Sequence, residues 1–279
     1  RTAIRADLLD FASDPGWSAG DDVPGLRYRA DHWLTIDEHG RIAGVQEHAP
    51  DAAWRRLDRM GCLLTPGFVD THVHMPQLEV IASYGAELLE WLNTYTFPAE
   101  RRYADATVCD TGANRFLDAV LAHGTTAEVV FPTVHKGSAD ALFTAARNRR
   151  MRVIAGQCLM DRHAPADLTV AVDQSERDSE ELIAQWHGRD RLAYAVTVRF
   201  APTSTDAQLA MAGRLLARQR LRAGGGAADD LDVRTDRHEK DCAVPVAATQ
   251  LTSVKDTPLA WLTSPGCAAD GRSGPAAAA

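Results

Sequence analysis

The chain has 279 residues, 45% hydrophobic and 24% charged, with a formal net charge of −8. This balance excludes fibrous and wholly disordered classes, and the acidic surplus excludes the electrostatic footprint of a nucleic-acid or anionic-membrane binder, so a small molecule is the expected partner. The five cysteines at 62, 109, 158, 242 and 267 never form C-x-x-C, which points to reduced thiols in a cytoplasmic protein. Neither a membrane span of roughly 18 apolar residues nor a signal peptide is legible.

Residues 1–64 read as a small β-module. A strand-like run at 6–11 is followed by short β-rich runs at 30–36 and 41–45, which flank the turn Asp37-Glu38-His39-Gly40. Between them, Gly16-Trp17-Ser18-Ala19-Gly20 matches the G-x-S-x-G of a nucleophile elbow. Asp14-Pro15 before it and Asp21-Asp22-Val23-Pro24 after it supply neither the strand nor the helix that such an elbow needs.

The stretch Thr65-Pro66-Gly67-Phe68-Val69-Asp70-Thr71-His72-Val73-His74 opens the main domain. Side chains alternate along a strand, so His72 and His74 share a face about 7 Å apart and present two imidazoles to one point, a geometry for gripping a metal ion. An apolar run that ends in ligands suits the first strand of a metal-dependent (β/α)8 barrel, whose C-terminal face carries the active site. Helical spacing follows at 86–95, which Pro98 should end, and at 105–123, with Gly124 as the C-terminal cap. Next come a strand at 125–131, a helix capped by Ser138 running to 150, a strand at 151–160, a helix at 179–186 and a strand at 192–200. His135, at the end of the second strand, reads as a loop histidine with a satisfied ring, and Trp91 among leucines reads as core.

Alternating strands and helices argue for parallel βα units, and no G-x-G-x-x-G supports a dinucleotide site. The expected fold is therefore α/β. A partial (β/α)8 TIM-type barrel over 65–219 should carry the metal and substrate site, with the β-module before it and an irregular, disordered tail of Ala, Gly, Asp and Pro over 220–279. Four parallel strands leave two unpaired edges, so assembly into a homo-oligomer is expected.

Over residues 26–219 the chain resembles the guanine deaminases of the amidohydrolase superfamily. The resemblance rests on Pro66 to His74, on Gln77, on the run from Leu88-Leu89-Glu90-Trp91-Leu92 through Phe97-Pro98-Ala99-Glu100-Arg101-Arg102, and on Arg199-Phe200-Ala201-Pro202-Thr203. It implies a zinc-dependent hydrolase converting guanine to xanthine and ammonia, with His72 and His74 as the first two zinc ligands and His74 also bordering the substrate. Gln77 matches the purine-contacting glutamine; Arg199 and Phe200 match the pair that contacts the purine carbonyl and stacks on its ring.

The family has Thr-Pro before Arg-Phe where this chain has Thr197-Val198. The family's remaining zinc ligands and proton-shuttling glutamate, drawn from later strands, have no match. His238-Glu239 lies near the place of a fifth strand but without a strand pattern around it. With two ligands a tetrahedral ion is half-coordinated, so weak zinc binding and little turnover are expected of this chain. A hydrolase of another amino- or chloro-substituted heterocycle and a non-catalytic barrel remnant are the alternatives. The cytidine-type zinc deaminases are excluded because H-x-E and P-C-x-x-C are absent.

Overall fold

Ile4, Ala6 and Leu8 alternate along β1 (Thr2–Phe11) and, with Leu34 and Leu64, form a small apolar core on one face of a four-stranded sheet. The other strands are β2 (Leu26–Ile36), β3 (Ile42–Gln46) and β4 (Arg55–Leu64), in the order β3-β2-β1-β4. β2 runs antiparallel and β4 parallel to β1. The turn between β2 and β3 is built as its sequence requires: the Asp37 carboxylate accepts from the backbone N–H groups of His39 and Arg41, and Gly40 takes φ 77°. β4 was not expected, because Arg55-Arg56-Leu57-Asp58-Arg59-Met60-Gly61 lacks apolar alternation; pairing with β1 recruits it.

These features come from a computed structural model that describes residues 1–14, 23–85 and 87–223. The G-x-S-x-G match, His238-Glu239 and the tail beyond residue 223 lie outside the described residues. The chain divides at Gly67/Phe68 into two units.

The second unit opens with β5 (Phe68–His74) and continues through α1 (Leu88–Trp91), α2 (Phe97–Arg101), α3 (Ala106–Ala122), β6 (Thr125–Phe131), α4 (Lys136–Arg149), β7 (Arg152–Ala155), β8 (Cys158–Leu159), α5 (Val172–Trp186), β9 (Leu192–Tyr194), β10 (Thr197–Val198) and α6 (Asp206–Ala223). β5-β6-β7-β9 form one parallel sheet in sequence order, and β8 and β10 pair in parallel beyond it. The result is a four-unit arc of a (β/α) barrel. Its outer core joins Val130, Val153 and Leu192 to Leu117, Leu142, Phe143, Leu182 and Trp186 of the helices.

Several local expectations are corrected by longer-range contacts. The strands expected at 151–160 and 192–200 each break in the middle. There a Cβ on Gly156 would stand 1.8 Å from the Ala195 carbonyl oxygen. The Thr197 hydroxyl bridges to the carbonyls of Gly156 (3.0 Å) and Gln157 (2.7 Å). α4 begins at Lys136, because the Ser138 hydroxyl is drawn back to the His135 carbonyl at 2.7 Å and to Thr133. α5 starts at Val172 rather than 179. α6 was not expected, although Thr205-Asp206-Ala207-Gln208 has capping-box spacing and the Gln208 N–H donates to the Thr205 hydroxyl at 3.2 Å. α3 holds to its sequence, capped by Asp105 accepting from Thr107 and Val108.

Pro98 does not end its helix. A five-residue π-helical turn, Leu92–Thr96, joins α1 to α2, and the Phe97 N–H reaches back five residues to the Leu92 carbonyl. Pro98 falls in the first turn of α2, where a missing N–H is tolerated. Cys109 and Cys158 are free and buried. No helix among the described residues is long and apolar enough to cross a membrane.

Candidate active site

His72 and His74 stand at the C-terminal end of β5 with ring centroids 5.2 Å apart, as strand alternation requires. Both rings rest on Phe131 at the end of β6, at 4.9 and 5.0 Å. His72 is exposed, its backbone N–H held by the Asp70 carboxylate at 3.0 Å. His74 is half-buried, and its Nδ1 is buried without a hydrogen-bond partner. Burial, with Arg199 and His72 nearby, pushes the His74 pKa down to about 3, so its imidazole is neutral, the form that ligates metals. Two neighbouring imidazoles with an orphaned ring nitrogen suit a divalent metal. Among the described residues, however, no group of three or more His, Cys, Asp or Glu side chains is assembled to hold one.

Arg199 follows β10 and points inward: its side chain is 2% exposed. Nη1 donates to the carboxylate of Glu100, which is fully buried. The guanidinium carbon lies 5.7 Å from the Phe97 ring centroid and 5.6 Å from that of Phe200. Phe200 itself is 36% exposed, so this ring has a face toward solvent. Burial opposes the Arg199 charge, but the net shift is upward and the guanidinium stays protonated beside Glu100. Burial pushes the Glu100 carboxyl up while Arg199 draws it back. The fully buried Cys158 thiol is pushed up to about 12 by burial, so it adds no competing charge.

Glu100 received no role from the sequence alone. Its signal was faint: an acidic residue in Phe97-Pro98-Ala99-Glu100, where Phe97, Ala99 and Glu100 are all buried. Gln77 lies in the 3-10 turn Met75–Val80 after β5, half-buried, and no hydrogen bond among the described residues joins it to Arg199 or Phe200. His135 departs from expectation, since its Nε2 is buried and unpartnered. Trp91 is half-buried and donates to the Ser83 carbonyl at 3.2 Å.

Glu128 was not anticipated either. It lies within β6, 1% exposed, with both carboxylate oxygens lacking a partner, and it is paired in register with Asp70. Burial and the Asp70 charge raise its pKa to about 8.

Comparison with known proteins follows the same outline. Guanine deaminase of Escherichia coli strain K12 is 52% identical over 218 residues, which cover 76% of this chain and 49% of that protein. The solved structure of the E. coli guanine deaminase superposes with a TM-score of 0.71 at 42% identity, over 78% of this chain and 51% of that one. A guanine deaminase from C. acetobutylicum with guanine bound in its active site superposes with a TM-score of 0.69 at 25% identity, again over 78% and 51%. The chain thus spans about half the length of the relatives it matches. A family model for the amidohydrolase family matches residues 63–240, well over half of the sequence, and the chain belongs to that family.

Proposed function

We propose that this chain carries the purine-binding part of a zinc-dependent guanine deaminase site, in which water displaces the amino group of guanine to give xanthine and ammonia. One observation carries the reading. The two runs most particular to the resemblance, 88–102 and 199–203, meet through Glu100 and Arg199, and the Arg199 charge reaches His74 at the same strand ends.

In this reading Arg199 offers a planar fork of donors to the purine carbonyl, which an ammonium cannot reproduce. The partly exposed Phe200 ring stacks on the base, and the Gln77 amide both donates to and accepts from its edge. His72 and His74 hold the zinc ion, and His74 also borders the substrate. When bound, zinc supplies a water acidified to a pKa of about 7, a nucleophile at neutral pH. With two imidazoles as its ligands among the described residues, zinc is expected to be held weakly and turnover to be small.

Titration calorimetry of the 279-residue chain with guanine, in excess zinc, tests the reading. Guanine is expected to bind, Arg199→Lys to weaken it by about tenfold or more, and adenine and cytosine to bind no better than guanine binds that variant. Equal affinity for all three bases would end the reading.

A further inference from the structure

Among the described residues, Glu100 and Arg199 form an ion pair buried at 0% and 2% exposure beside the proposed substrate site. An ion pair this deeply buried is a poor way to gain stability, because desolvating two charges consumes most of their attraction. Its geometry suggests another use. The π-helical turn at Leu92–Thr96 places one extra residue ahead of Phe97, turning the following helix by about 100° relative to a regular one, and such turns recur at functional sites. Phe97 and Glu100 therefore reach Arg199 together, the ring centroid 5.7 Å from the guanidinium carbon and the carboxylate at its Nη1.

We propose that Glu100 is a positioning residue: it fixes the plane and direction of the Arg199 guanidinium between the rings of Phe97 and Phe200, so that Arg199 meets the substrate heterocycle pre-oriented. The inference rests on the reading above that Arg199 contacts that heterocycle. Three details support it. Glu100 binds Arg199 through one Nη, and Nε is buried without a hydrogen-bond partner, so the fork is held without being saturated. Cys158, beside the guanidinium, is a protonated thiol and supplies no second counter-charge. Phe97 and Phe200 both stand within 6 Å of the guanidinium carbon, which restricts rotation of the plane that Glu100 sets.

The test uses the full 279-residue chain with 15N-labelled arginine, read by NMR and by ligand titration. The Arg199 guanidinium resonance, identified by its loss in Arg199→Lys, should exchange slowly in the wild type and average with solvent in Glu100→Gln. Glu100→Gln should also weaken guanine binding by roughly tenfold in the wild-type background and by less than about twofold when Arg199→Lys is already present, the non-additivity expected of residues acting as one unit. Additive losses would instead mark Glu100 as merely structural and overturn the proposal. So would a guanidinium signal unchanged in Glu100→Gln, or a lost signal with undiminished affinity. Should Glu100→Gln fail to fold, Glu100→Asp, which keeps the charge but withdraws the carboxylate by one methylene, carries the same comparison.

A chlorotriazine is titrated in parallel. If it binds with the same non-additivity while guanine does not, the choice of guanine falls and the role of Glu100 stands. If neither binds, the substrate reading fails and the guanidinium signal alone decides whether Glu100 holds Arg199.

Discussion

In the N-terminal sheet, Arg5 reaches Asp31 and Asp58, and Arg27 and Arg29 share Asp10, all on side chains a quarter or more exposed. In the β/α arc, by contrast, Arg199 and Glu100 face each other at 2% and 0% exposure, and Glu128 is buried with no partner. The first arrangement is decoration over a core of Ile4, Ala6, Leu8, Leu34 and Leu64, screened by water and by salt. The second makes the fold depend on where each polar atom sits. Single glycines span the same range. Nothing stands within 4 Å of where a Cβ on Gly40 or Gly61 would lie, whereas Gly156 is in contact with a crossing backbone.

The largest expected effect is therefore Gly156→Ala. Its methyl would fall 1.8 Å from the Ala195 carbonyl, which backbone movement alone can relieve. A loss of about 4 kcal/mol or more in denaturant unfolding, or no folded protein at all, is expected. A near-wild-type midpoint would show that the break between β7 and β8 is loose. Next is Glu100→Ala, which strands a buried guanidinium and should cost about 3–5 kcal/mol. Arg199→Met with Glu100→Leu should recover part of that loss, and failure to recover would mean that the pair stabilises the fold directly.

Glu128 gives a pH signature. Its folded-state pKa of about 8 lies above the ordinary carboxyl value, so the folded chain keeps a proton that the unfolded chain has released. Its contribution is fully present below the unfolded pKa and is lost as pH rises toward 8. Stability should fall by roughly 1 kcal/mol per pH unit in that window, and Glu128→Gln should flatten the slope. Parallel slopes for the wild type and the variant would assign the dependence to other groups. Smallest of all is Arg5→Gln in the N-terminal sheet, whose melting temperature should match the wild type within error at physiological salt; a clear drop would erase the contrast between the two units.

What could be read in advance followed the range of the forces involved. The shared face of His72 and His74 is a property of any extended strand, and the Gly124 cap of α3 needs only the φ of 86° that a glycine adopts without strain. The order of the βα units followed from apolar period and turn residues. Glu100 stayed hidden because Pro98 reads as the end of its helix, whereas the π-helical turn carries the chain on into α2. The breaks at Gly156 and Ala195 arise from one strand approaching another across some forty residues of sequence, which no local pattern records. β4 stayed hidden for the same reason, since its charged outer face becomes a strand only beside β1. The α6 cap at Thr205 and Gln208 is local and carries its own capping-box spacing.

The π-helical turn at Leu92–Thr96 makes length, rather than composition, the property that this segment must preserve. Deleting one residue there would remove the extra residue of the turn and would swing Phe97 and Glu100 about 100° off their present heading. The shorter segment would be the worse neighbour for Arg199. Substitutions between Leu92 and Glu100 can be accommodated one side chain at a time, but a gap changes the bearing of every residue after it. Among descendants of this chain that keep the Arg199 contact, sequences should drift in this stretch while the count from Leu92 to Glu100 stays constant.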